Sequence, residues 1–372
     1  MNTLQQLKQL GQSVWYDNIQ RNLLGQAGEL ARMIAEHGLA GVTSNPSIFE
    51  KAINNSQDYD AQLSSLVKQH PGINSRDLFF ALAIDDIQNA ADLLLPVYQQ
   101  TQTHDGYVSL EVSPDLAYDT DATIAEAKRL AQQVNRPNLM IKVPGTREGI
   151  DAVEALTAAG ISVNATLLFS AQRYEEIARA YIRGLRQRQQ QGLPVEGIAS
   201  VASFFVSRVD TLIDGLLSQK TANATTKQLE IINQLTGQVA ILNAKSAYAI
   251  YQTLYGEEFA DLAAQGGQPQ RLLWASSGTK NPVYSDVLYI DSLIGADTVN
   301  TMPPATYQAF LDHGKPTETL TQGMLGAAGQ LEMLAELDID LAAACQQLED
   351  EGVQAFAKAF NTLLAAIEQK AV

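Results

Sequence analysis

Residues 138–169, NLMIKVPGTREGIDAVEALTAAGISVNATLLF, read as strand, helix, strand. The runs Leu139–Pro144 and Ile161–Phe169 are short and apolar, while Gly149–Ala159 repeats its apolar positions at the helical period. Outward from this unit the alternation continues, with strands expected at Val14–Asp17, Gly38–Asn45, Tyr107–Val112, Gly197–Phe205, Arg271–Ser277 and Thr298–Met302. Helices are expected at Thr120–Val134 and at Ser170–Gln191, where Tyr174, Ile177, Ala178, Tyr181 and Ile182 keep the helical spacing. Eight strand-helix units in 372 residues favour an α/β fold of the (β/α)8 TIM-barrel type over an open doubly wound sheet. The first strand-helix turn also lacks the G-x-G-x-x-G of a dinucleotide site.

Two stretches exceed a minimal barrel. Thr225–Gln268 reads as helical between the sixth and seventh strands, and Pro303–Val372 adds helices after the eighth. No linker rich in Pro, Gly or Ser separates them. Residues 1–372 therefore read as a single barrel domain, with 304–372 a helical extension packed on it.

The opening stretch contains an anomaly. Lys142 stands between Ile141 and Val143 in a run that otherwise reads as buried. A buried ammonium costs several kcal/mol unless it is paired or neutral. Burial lowers lysine pKa values, and a lysine brought toward pH 7 becomes a nucleophile for carbonyl carbon. The plain alternative is a strand-end lysine whose head reaches solvent or a carboxylate.

Alternate residues of a barrel strand point inward and outward, so parity decides which side chains can meet. On the side of Lys142 and Met140 this rule places Ser109 and Glu111 of the third strand and Asn164 and Thr166 of the fifth. It adds Thr43 and Asn45 from the second, Trp15 and Asp17 from the first, and Ser203 and Phe205 from the sixth. These polar groups lie toward the C-terminal ends of their strands, where barrel active sites are built. Singly, each has a plain explanation: Asn45 before Pro46 shapes a turn, Thr166 favours strand, and Asp17 caps a helix.

A desolvated lysine can form a Schiff base with a ketone, and the iminium then acts as an electron sink for breaking the adjacent carbon-carbon bond. Two proton-handling groups are needed, and Glu111 and Asp17 are the candidates. A glycosidase pair of carboxylates is a competing use, but it leaves Lys142 only a counter-ion's role. For an anionic handle, Arg208 follows the sixth strand and Ser276-Ser-Gly-Thr-Lys280 the seventh. Loops after late barrel strands suit a phosphate. Otherwise Arg208 is a solvated helix residue near Asp210, and Lys280 a loop charge.

Composition narrows the partners. A net charge of -16 argues against a nucleic acid or an anionic membrane surface. The N-terminus has no basic segment followed by an apolar core, and no apolar run reaches membrane-spanning length. Cys345 is the single cysteine and fits a reducing cytoplasm. His37, His70, His104 and His313 are scattered without metal-ligand spacing, so no metal is expected. The sequons at Asn54, Asn164 and Asn223 read as chance matches.

Six segments stand in register on these strands: Gly41-Val-Thr-Ser-Asn45-Pro-Ser47, Ser109-Leu-Glu111-Val112, Ile141-Lys142-Val-Pro-Gly-Thr146, Asn164-Ala-Thr166-Leu-Leu-Phe-Ser170, Ser203-Phe-Phe205-Val-Ser-Arg208 and Thr298-Val-Asn-Thr-Met-Pro303. Together they resemble the transaldolase family, and the likeness covers most of the chain. The resemblance implies a cytoplasmic pentose-phosphate-pathway transferase without metal or organic cofactor. Such an enzyme moves a dihydroxyacetone unit from sedoheptulose 7-phosphate to glyceraldehyde 3-phosphate, giving erythrose 4-phosphate and fructose 6-phosphate. By that pattern Lys142 forms the Schiff base, Glu111 works through a water held by Thr166, and Asp17 is the general base. Asn45, Asn164 and Ser203 hold hydroxyls, and Arg208 binds phosphate.

This sequence departs from the shorter branch of the family in two ways. Lys280 stands where that branch has an arginine, so a point-charge contact is expected in place of a bidentate one. The opening Val14-Trp-Tyr-Asp17, the long insertion and the tail resemble the larger bacterial branch. A fructose 6-phosphate aldolase is the nearest rival; those proteins resemble a shorter barrel with a tyrosine where this chain has Phe205. A phenol can hold a hydrolytic water and a phenyl ring cannot, which favours transfer over release. A non-catalytic sugar-phosphate-binding barrel is the rival from another class. Expected partners are small sugar phosphates and, as a homodimer, a second copy of the chain.

Overall fold

The computed structural model describes residues 1–371; Val372, the end of the expected extension, lies outside the described residues. Eight strands, β1 (Gln12–Tyr16), β2 (Gly41–Val42), β3 (Tyr107–Glu111), β4 (Leu139–Pro144), β5 (Val163–Leu168), β6 (Ser200–Phe205), β7 (Arg271–Ala275) and β8 (Thr298–Met302), pair in sequence order. Each pair is parallel, and β8 returns to β1 to close the barrel. Every strand residue is buried, because one face meets the barrel interior and the other the surrounding helices.

The second strand is shorter than Gly38–Asn45. Only Gly41 and Val42 join the ladder. Gly38 takes a left-handed conformation at the end of the preceding helical segment, with φ +76. At the other end Asn45 leaves the sheet to cap the helix Pro46–Asn54, accepting the Ile48 amide at 3.0 Å with Pro46 in the first turn. The hydrophobic alternation extends across both caps, so the sequence pattern alone overran the strand.

Glycine at position 41 is a packing requirement. A Cβ there would fall 2.4 Å from the indole of Trp15, the cross-strand neighbour that fills this part of the barrel. Below it a buried polar cluster closes the floor. Arg271 pairs with Asp105 at 3.0 Å and donates to Ser13 Oγ at 2.8 Å, while Ser13 and Trp15 both donate to the same carboxylate. With the charge pair hydrogen-bonded on several sides, its desolvation is offset locally.

In β5 the register shifts between Ala165 and Leu168, and Leu167 has φ +61, a left-handed conformation unusual for a bulky residue. Inward alternation therefore stops at Thr166, on the C-terminal rim. The expected additions follow β6 and β8. Helices Ser207–Lys220, Thr226–Leu235 and Val239–Leu254 precede β7, and Pro304–His313, Met324–Glu332 and Leu341–Lys370 follow β8. The last of these has 30 residues and packs across Pro46–Asn54, Ser75–Gln100 and Ser207–Lys220. Among the described residues no helix is long and apolar enough to cross a membrane.

Candidate active site

Parallel register sets Glu111 beside Lys142, and Lys142 beside Asn164, on three adjacent strands. Lys142 Nζ donates to Glu111 Oε2 and to the Ser44 carbonyl, each at 3.2 Å. Both side chains are about 95% removed from solvent, being 5% and 4% exposed. The ammonium is therefore inside the barrel and paired, and its head does not reach bulk water.

Burial pushes the Glu111 carboxyl up to about 6; the Lys142 charge and hydrogen bond oppose this and nearby Asp17 adds to it. Asp17 is also raised, chiefly by burial, with Lys142 and the Thr43 hydrogen bond acting against the shift. Its Oδ1 accepts from Thr43 Oγ1 at 2.7 Å, and Thr301 Oγ1 completes the chain by donating to Thr43 at 2.6 Å. Among the described residues Asp17 caps no helix; its carboxylate is oriented across the barrel by two threonines.

Two buried oxygens, Glu111 Oε1 and Thr166 Oγ1, have no protein partner among the described residues. Both are free to bind what enters the site. Asn164 bridges its neighbours, donating to Ser109 Oγ at 3.0 Å and accepting from Ser203 Oγ at 2.7 Å. Asn45 is committed at one end only. Its carbonyl caps the helix, and the residue also lines the cavity, so the amide nitrogen is available there.

The cavity at the C-terminal end of the barrel measures about 440 Å³ and is lined by Asp17, Asn45, Lys142, Thr166, Ser203, Phe205, Arg208, Ser276 and Lys280, among others. Glu111 and Asn164 sit in the buried layer beneath. Arg208 has no ion pair among the described residues, and its guanidinium lies 5.6 Å from the centroid of Phe205. Burial pulls its pKa down, with Glu351 of the last helix opposing. Asp210 does not serve it: that carboxylate accepts the Ala240 amide at 2.7 Å and the Tyr289 hydroxyl at 3.0 Å. Ser276, at φ +53, shares a 3.0 Å hydrogen bond with Ser207 Oγ. Lys280 stands exposed at the rim. A cation without a carboxylate partner, next to hydroxyls and a second rim cation, suits a phosphate ester.

Sequence reasoning did not single out Thr301, Ser44, Lys51 or Phe356. The parity that marks Thr43 would have found Thr301, since the two residues meet inside the barrel. Ser44 contributes a main-chain carbonyl, which carries no residue signature. Lys51 lines the same cavity from the helix after Asn45. Phe356 comes from the last helix, with its ring centroid 5.6 Å from Lys142 Nζ. A larger groove of about 730 Å³, mostly apolar, lies between Ala171–Gln190, Val239–Leu254 and the tail, and holds none of the expected site residues.

The raised Glu111 pKa sets a pH dependence. A carboxyl held near about 6 is protonated below that value, so its base form is lost as pH falls through it. The acid limb of kcat/KM is expected near pH 6, and in Glu111→Gln that limb should vanish while the residual rate falls about 100-fold or more. A pH profile that the substitution leaves in place would assign the limb to another group.

Residues 14–367 match the family described as Transaldolase/Fructose-6-phosphate aldolase. A protein of Thiobacillus denitrificans named Transaldolase is 47% identical over 368 residues, covering 99% of this chain and 100% of that protein. Transaldolase 2 of Nostoc sp. is 46% identical over 375 residues, covering 100% of this chain and 98% of its own length. A transaldolase of Trichodesmium erythraeum is 43% identical over 373 residues, with 99% and 97% covered.

Proposed function

Because the chain belongs to the transaldolase/fructose-6-phosphate aldolase family, we propose that it is a transaldolase working through a Schiff base on Lys142. Full-length relatives named transaldolase at 43–47% identity support a transferase acting on sugar phosphates. One geometric observation carries the mechanism: a buried amine 3.2 Å from a carboxylate, in a cavity that also presents Arg208.

In this reading the free amine of Lys142 attacks the ketone of sedoheptulose 7-phosphate. Glu111 and Thr166, through their unpartnered oxygens, hold the water that leaves the carbinolamine, and Glu111 moves its proton. Asp17 takes a hydroxyl proton from the ketose, the adjacent carbon-carbon bond breaks into the iminium, and erythrose 4-phosphate departs. The enamine left on Lys142 adds to glyceraldehyde 3-phosphate, and hydrolysis of the new iminium yields fructose 6-phosphate. Asn45, Asn164 and Ser203 hold the dihydroxyacetone hydroxyls. Arg208 holds the phosphate, with Ser276 and Lys280 beside it. No metal or organic cofactor enters the scheme.

The reaction is tested by supplying sedoheptulose 7-phosphate and glyceraldehyde 3-phosphate and following both products in a coupled assay. Formation of free dihydroxyacetone in place of fructose 6-phosphate would turn the assignment to the aldolase side of the family. Phe205 supports transfer, since its ring lies against Phe169 at 5.2 Å and offers no hydroxyl for a hydrolytic water. A merely sugar-binding barrel would give neither product.

The reading extends to a cytoplasmic enzyme in which residues 304–371 fold with the barrel as one domain. Phe356 in the cavity lining supports that unity. It also admits a homodimer, which sedimentation would register at twice the 40.3 kDa of one chain.

A further inference from the structure

The helix Leu341–Lys370 is held firmly on the barrel along its length. Near its start Cys345 Sγ donates to the Phe169 carbonyl at 3.1 Å, and Glu349 pairs with Arg173 at 3.3 Å. In the middle, Gly352 lets the helix approach the barrel so closely that a Cβ would stand 3.0 Å from Leu167 Cδ2. Phe360 packs edge-on against Phe79 at 5.4 Å, and at the far end Lys370 reaches the Ser56 carbonyl and Asp60. Phe356 lies within this anchored span. It is 5% exposed, lines the cavity, and places its ring 5.6 Å from Lys142 Nζ.

Lys142 therefore meets a carboxylate, a carbonyl and an apolar ring, the last supplied by an element outside the eight strand-helix units. The ring bears on a choice that every enamine on Lys142 faces. By one route its nucleophilic carbon bonds to the aldehyde carbon of an acceptor, and the dihydroxyacetone unit is transferred. By the other that carbon takes up a proton, water adds across the resulting iminium, the carbon-nitrogen bond breaks, and free dihydroxyacetone leaves the regenerated amine. Both routes end in hydrolysis of an iminium by the water held at Glu111 and Thr166, so they part at the nucleophilic carbon: an apolar surface beside that carbon keeps proton-bearing water from it and leaves addition to the aldehyde open. It also favours the cationic iminium through its π-face.

We propose that Phe356 is a shielding residue which, fixed over Lys142 by the C-terminal helix, sets the ratio of transfer to release. This inference rests on the Schiff-base reading and names the group that determines its outcome. The reaction is run with fructose 6-phosphate, with and without erythrose 4-phosphate as acceptor, and free dihydroxyacetone and the transfer product sedoheptulose 7-phosphate are measured together. In Phe356→Ala the released-to-transferred ratio is expected to rise about tenfold, as water fills the space the ring leaves. Phe356→Leu, which keeps an apolar but smaller side chain, should raise it about threefold.

A merely structural role for the ring would lower both products in proportion and leave the ratio unchanged. That result in any folded variant overturns the proposal. Circular dichroism establishes folding first, and if the alanine variant does not fold, the leucine variant is read by the same criterion. Borohydride reduction of the wild-type protein with fructose 6-phosphate separates the two levels of argument. An absent adduct on Lys142 removes the Schiff base itself, whereas a trapped adduct with an unchanged ratio removes only the shield.

Discussion

Lys142→Ala is expected to lower turnover by about 10⁴-fold or more while the protein stays folded, because losing a covalent nucleophile removes the reaction path itself. Folding should survive for an electrostatic reason. The Lys142 charge is what opposes the rise of the Glu111 pKa; without it, burial drives the carboxyl to its neutral form, which the interior accepts. Lys142→Arg should be equally inactive, since a guanidinium keeps the charge but cannot form the imine. The measurements are the coupled assay, the borohydride adduct by peptide mass, and circular dichroism. Transfer by either variant above that residual level, or an adduct on another lysine, would contradict the assignment.

Arg208→Ala is expected to raise the apparent KM for phosphorylated ketoses roughly 100-fold, because a charge-assisted phosphate contact in a partly buried site is worth about 2–5 kcal/mol on truncation. Arg208 lacks a carboxylate partner among the described residues, so its loss leaves no orphaned protein charge and the effect should fall on substrate. The discriminating comparison is with unphosphorylated fructose. Its use should change little, so the preference for the phosphate ester collapses by nearly the same factor. Arg208→Lys should recover part of the loss, as a point charge replaces a fork. If KM for the phosphorylated substrate stays as in the wild type, the anion is held elsewhere, and the rim lysines Lys51 and Lys280 become the candidates.

Much of the site was legible because a strand has a period of two. Once Lys142, Glu111, Asn164 and Thr166 were assigned to strands, inward parity followed from their spacing, and parallel register then set the first three side by side. The same rule reached Thr43, whose hydrogen bond orients Asp17. It failed where backbone geometry departs from regular alternation. Asn45 had left its strand to become a helix cap, and the bulge at Leu167 ended the inward row. Local propensity does not reveal such points, because caps and bulges are chosen by the packing around them.

The sequence by itself determined the order and number of the strands, the alternation of strand and helix, and the set of polar residues on the inward side, since these depend on periodicities carried by neighbours along the chain. Tertiary structure alone decided three other things: the Arg271–Asp105 pair beneath Trp15, the threonine relay to Asp17, and the arrival of Phe356 over Lys142. Each joins residues far apart in the chain. Such contacts follow from how the barrel closes and where the last helix settles, and a pattern read over ten or fifteen residues cannot hold them.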